Sequence, residues 1–145
     1  MTSTLGILNH GKIYLKAAEH LTSEILDGRL LLPFDDPVSL LLGHALELIL
    51  KASLLQKGAT DNEAWGHDLL KLRTTAIAKG CAFTLGEQEK GHLDLLNKVF
   101  GAAPYEVRYL KTGPTTVHDD TVIIRIATRF SEEASSLISH AAREL

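Results

Sequence analysis

The chain has 145 residues, 45% of them hydrophobic, with 4 Pro, a single Cys and a formal net charge of −3. That length fits one domain with a real core, and the apolar content excludes a disordered chain. The slightly acidic balance excludes a strong positive field that would gather bulk nucleic acid, and the lone Cys81 excludes an internal disulfide or an all-cysteine metal site.

Cys81 reads as a small buried hydrophobe rather than a reactive thiol. The start of the chain, Met-Thr-Ser-Thr-Leu-Gly-Ile, has no basic stretch leading into an apolar one, so no secretory signal is visible and the cytoplasm is the expected location.

Breakers divide the sequence into about five helical segments. The first is expected from Asn9 to Leu26, with Ile13, Ala17, Leu21 and Ile25 on one face and Gly28 just past its end. Asp36-Pro37 is the next start signal, Asp36 as a cap and Pro37 in the first helical position. The second helix then runs to Lys57 and stops at Gly58. A loop from Ala59 to Gly66, polar apart from Trp65, leads to a third helix from about His67 to Lys79, ended by Gly80.

Thr84 with Glu87 reads as a capping box for a fourth helix that reaches Phe100. Gly101 to Pro104 interrupts it, Tyr105 to Leu110 is a short turn or helical piece, and Lys111 to Thr115 is a loop. Thr116 and Asp119 form a box-like start for the last helix. Its β-branched middle, Val122 to Ile126, resembles a strand, but the segment is too long and too rich in Ala, Glu and Ser for one. No repeat or domain linker is visible. The expectation is a single all-α domain over residues 1–145, an up-and-down bundle of four to five helices.

Within the second helix, His44, Glu47 and Lys51 share one narrow face at about 100° of turn per residue, while Leu, Ile and Ala cover the rest. The apolar run from Pro37 to Leu55 nearly matches a membrane span, but three ionisable groups on one face are expensive in hydrocarbon, so it reads as a buried helix with no membrane role. Two readings of the stripe stand. It is either a solvated edge whose Glu47–Lys51 pair contributes about 0.3–0.5 kcal/mol, or a polar groove between helices that holds a ligand or partner. His44 and Glu47 have a spacing that suits one helix's share of a metal site, but no second such pair completes it and Lys51 opposes a cation; no metal and no cofactor are expected.

Two further elements carry polar chemistry. Gly66-His67-Asp68-Leu69-Leu70-Lys71 opens the third helix: Asp68 suits the first turn, His67 is either a capping or a functional residue, and Lys71 follows one turn later. Tyr105-Glu106-Val107-Arg108-Tyr109 places tyrosines beside an arginine, which suits a planar or phosphorylated ligand, or else Tyr109 plugs the bundle while Arg108 pairs with a carboxylate such as Glu47. No Ser or Cys sits in a nucleophile elbow, no Gly-rich phosphate loop is present, and His118-Asp119-Asp120 reads as an acidic helix start.

Three of these blocks, His44 to Ala52, Gly66 to Leu72, and Arg108-Tyr109, resemble in order and separation the HEPN family (higher eukaryotes and prokaryotes nucleotide-binding domain). The resemblance spans roughly Asp36 to Leu110. It implies a four- or five-helix bundle, often dimeric, working in RNA or nucleotide transactions in toxin–antitoxin or defence systems, with a cognate protein such as a nucleotidyltransferase as partner. The heavily apolar last helix also suits a homodimer face.

Many active members are metal-independent ribonucleases with an Arg, four to six residues, and then a His. None of Arg29, Arg73, Arg108, Arg125, Arg129 and Arg143 is followed by a histidine at that spacing. The expectation is therefore a non-catalytic HEPN-like binding or scaffold domain. It would engage a nucleotide, RNA or protein through His44, Glu47, Lys51, His67, Asp68, Lys71, Arg108 and Tyr109. The alternative is a divergent ribonuclease toxin in which His44 or His67 replaces the usual histidine.

Overall fold

A computed structural model describes residues 3–30, 35–101 and 118–143. They form five α-helices: α1 (Thr4–Leu26), α2 (Asp35–Gln56), α3 (Leu69–Ala78), α4 (Glu87–Phe100) and α5 (Asp120–Arg143). The protein is an all-α bundle. Arg108 and Tyr109 lie outside the described residues, as do the expected turn and loop around them.

α2 is the central rod and packs against all four other helices. Val38, Leu42, Ala45, Leu46, Ile49, Leu50, Ala52 and Leu54 along it are wholly buried. Its Pro37–Gln56 stretch is long and apolar enough to cross a membrane, and 67% of that apolar window lies inside the bundle. A helix apolar on most sides needs neighbours on most sides, and it has them.

α1 runs antiparallel to α2, with Thr4 Oγ1 donating to Gln56 Oε1 at 2.7 Å near one end and Tyr14 stacked on His44 further along. The buried face of α1 is Leu8, Gly11, Leu15, Ala18 and Thr22. This corrects the expected face in part: Ile13 is 64% exposed and Ala17 is exposed, whereas Leu21 and Ile25 do pack on the core. The reason is Gly11. A Cβ there would stand 3.2 Å from the Ala45 carbonyl oxygen and from Ile49 Cγ1, so the face centres on the residue that lets two backbones approach.

Gly28, Gly58 and Gly80 end α1, α2 and α3 with φ of +74°, +83° and +100°, the left-handed conformation in which a Cβ is unfavourable. α5 turns Ile123, Ile126, Ala127, Phe130, Ala134 and Ile138 inward at helical spacing. The apolar face that suggested a dimer surface is thus occupied inside the bundle. Val122 to Ile126 is helical, as expected from its surroundings.

All five helix starts differ from expectation: α1 begins at Thr4 rather than Asn9, α2 at Asp35 rather than Pro37, and α3 at Leu69 rather than about His67. α4 begins at Glu87 rather than at the Thr84 box, and Glu89 reaches back to accept the Gly86 N–H at 2.9 Å. α5 begins at Asp120, with Asp119 Oδ1 accepting the Thr121 N–H at 2.9 Å; Thr116 lies outside the described residues.

Candidate functional site

The stripe on α2 is a groove-side cluster centred on a buried acid. The Glu47 side chain is only 6% exposed, and three potential cations meet it. His44 Nδ1 stands 3.7 Å from Oε2, Lys51 Nζ stands 3.8 Å from Oε1, and His67 Nδ1 bonds to Oε1. The first two come from one turn before and one turn after on the same helix. His67 comes from the turn before α3, where Gly66, with φ of +96°, redirects the chain.

Burial alone would raise the Glu47 pKa. The imidazoles of His44 and His67, and then the charge of Lys51, outweigh that effect and hold the carboxyl below its usual range. Because a carboxylate only accepts, His67 must donate through Nδ1, so that in the neutral ring, 44% exposed, Nε2 is the acceptor.

Aromatic groups frame the cluster. His44 is held between Tyr14, stacked at 5.4 Å between ring centres, and Phe100, edge-on at 5.3 Å. Phe100 also meets His67 edge-on at 6.4 Å. The Phe100 ring lies so close over Gly43 that any Cβ at position 43 would collide with it. A glycine in mid-helix therefore sets the depth of the aromatic floor.

The opening of α3 is fixed by a second network. Asp68 is the N-cap of α3 and not a first-turn residue, and its Oδ1 accepts the Leu70 and Lys71 N–H groups at 3.1 Å each. His67 precedes the helix and caps nothing there. From α4, Asn97 Oδ1 accepts the Leu69 N–H at 2.8 Å and its Nδ2 donates to Asp68 Oδ1 at 3.0 Å. Asn97 is itself buried, so one amide side chain satisfies two groups at the helix end that presents His67. A Cβ on Gly101 would collide with Asn97 and with the His67 carbonyl.

The structure thus brings together His44, Glu47, Lys51 and His67. Asp68 serves as a cap beside them. Lys71 is exposed on α3, with no side-chain contact to the cluster among the described residues. Tyr14, Gly43, Asn97 and Phe100 belong to the site and were not singled out from sequence. Trp65, two residues before His67, is 77% exposed.

His118-Asp119-Asp120 does open α5, with Asp119 capping it, and the His118 imidazole is in addition buried, with Nε2 2.9 Å from Asp120 Oδ1 and 3.1 Å from Ser39 Oγ. Serine and aspartate meet the same nitrogen, whereas a nucleophile relay needs them on opposite ones. The three residues instead join the first turns of α2 and α5. Cys81 is partly buried rather than fully so, and burial pushes its thiol pKa up. Among the described residues no three His, Cys, Asp or Glu side chains gather as a metal site requires.

Compared with known proteins, the chain matches no family model, no curated protein and no solved structure.

Proposed function

We propose that this chain is a HEPN-like binding domain that engages the phosphates of an RNA or nucleotide through the rim of the Glu47 cluster. One observation carries the reading. Both acids of the cluster are consumed internally, Glu47 by His44, Lys51 and His67 and Asp68 by the α3 cap, so the outward groups are imidazole and ammonium. A rim of that sign suits an anionic ligand even on a chain of net charge −3. The exposed Trp65 and Tyr14 offer rings for base stacking. The order of the three sequence blocks supports the family reading, and with it a setting in toxin–antitoxin or defence systems and a cognate protein partner.

The test is fluorescence anisotropy with a labelled single-stranded RNA and with a labelled adenine nucleotide. Binding should weaken with salt, and Lys51→Ala should lower affinity several-fold while the protein stays folded. A Lys51→Ala protein that unfolds would mark the stripe as architectural, and a wild type that binds neither probe would end the proposal.

A second reading, a metal-independent ribonuclease, is favoured by the His67–Glu47 pair itself. A half-exposed imidazole oriented by a buried carboxylate has the arrangement of a general base. Cleavage of RNA in excess chelator that disappears in His67→Ala would select this reading.

A further inference from the structure

Towards the other end of α2, a cavity of about 330 Å³ lies between Lys57, the segment from Gly80 to Phe83, and α5. It falls at the small end of the range of ligand sites, about 300–1,000 Å³. Lys57, Cys81, Phe83, Glu133, Ser136 and Leu137 line it. None of them belongs to the Glu47 cluster, so the cavity stands apart from the function proposed above.

Its two charges are opposite and unjoined. No carboxylate among the described residues comes within ion-pair reach of the Lys57 ammonium, and Glu133 has no cation at that distance either. Both still act on one thiol. Burial raises the Cys81 pKa, the Lys57 charge opposes that rise and the Glu133 charge adds to it. Glu133 uses Oε2 to accept the Phe83 N–H at 2.9 Å, and Oε1 has no hydrogen bond among the described residues.

The wall is preformed. Phe83 holds φ at 39°, in the left-handed region, between its bond to Glu133 and the Arg73 Nε that donates to its carbonyl at 2.8 Å. Its ring is buried against Phe130 at 4.7 Å.

We propose that this cavity binds a small zwitterion with an apolar tail, the chemistry of an aliphatic α-amino acid. A plain anion would answer Lys57 but meet Glu133, and a plain cation would do the reverse. Only a ligand carrying both charges satisfies both walls. Its ammonium would go to Glu133 Oε1, its carboxylate to Lys57, and its tail to Leu137 and the Phe83 side of the cavity.

L-leucine is the probe, with 4-methylpentanoate and isoamylamine as its half-molecules. Cys81, the one cysteine in the chain, reports occupancy through its rate of alkylation by iodoacetamide, and the amide resonances of Gly80 to Phe83 report it independently. Saturating leucine should slow alkylation several-fold and shift those resonances, while the half-molecules at equal concentration do neither. Lys57→Met and Glu133→Gln should each weaken leucine by roughly tenfold, about 1.4 kcal/mol. The glutamine keeps an oxygen for the Phe83 N–H, so the wall survives. Leucine that leaves both wild-type readouts unchanged overturns the proposal, as do half-molecules that match it.

Discussion

His67 donates to Glu47 across 20 positions of sequence, and this bond ties the turn before α3 to the middle of α2. It fixes the tautomer of a half-exposed imidazole through a carboxylate that water scarcely reaches. Without Glu47, His44 and Lys51 on α2 and His67 before α3 would be three separate side chains; with it, they form one electrostatic unit.

Removing that charge should be costly. Glu47→Gln leaves His44, Lys51 and His67 without their common partner, and we expect a loss of about 2–3 kcal/mol at neutral pH in urea denaturation. The loss should depend on acid. The Glu47 carboxyl is depressed in the fold relative to an ordinary value of 4.5, so its contribution is complete above that value and fades as pH falls through the lower, folded one. The stability gap between wild type and Glu47→Gln should accordingly close only below about pH 4.5. A gap that closes nearer neutrality would mean that another group controls it.

Asn97 is expected to matter more than its place in a helix interior suggests. Asn97→Ala removes the acceptor of the buried Leu69 N–H and a donor to Asp68. The cost should be about 2–3 kcal/mol, because a buried donor is left unpaired. Amide hydrogen exchange at Leu69 should accelerate more than exchange in the middle of α2; uniform acceleration would speak against a local clamp.

Gly43→Ala should destabilise by about 1–3 kcal/mol through overpacking against Phe100. The cause is testable by a double-mutant cycle: with Phe100→Leu, which clears the space above position 43, the alanine should cost markedly less. Additive costs in the cycle would place the clash elsewhere.

At the rim, Lys51→Ala and His67→Asn should both weaken RNA, but differently. Loss of an ammonium that neutralises a phosphate should lower the dependence of log affinity on log salt by about one. His67→Asn removes an imidazole rather than a permanent charge and should change that slope less than Lys51→Ala does. Equal slopes for wild type and Lys51→Ala would detach Lys51 from the ligand.

Much of the fold was legible because it rests on local chemistry. Gly28, Gly58 and Gly80 mark the helix ends where their backbones turn left-handed, and the long apolar run on α2, polar only along a narrow stripe, requires a central position. The His44, Glu47 and Lys51 face follows from helical periodicity alone, and so does its proximity to the next helix start once α2 is central. What stayed hidden depends on pairs far apart in sequence. Asn97 resembles any polar residue in a helix until Leu69 comes within its reach. Gly43 looks like a weak point in α2 until the Phe100 ring arrives over it. The α1 face was misjudged by favouring large residues such as Ile13, when the close approach is made by Gly11. The acidic neighbours of His118 do mark a helix start, but nothing in them shows that α2 packs there and buries the imidazole against Ser39.

Phe100 touches the rings of both His44 and His67 from the final turn of α4. One ring thus forms part of the surroundings of both imidazoles, so a change of side chain at position 100 alters His44 and His67 together rather than one at a time.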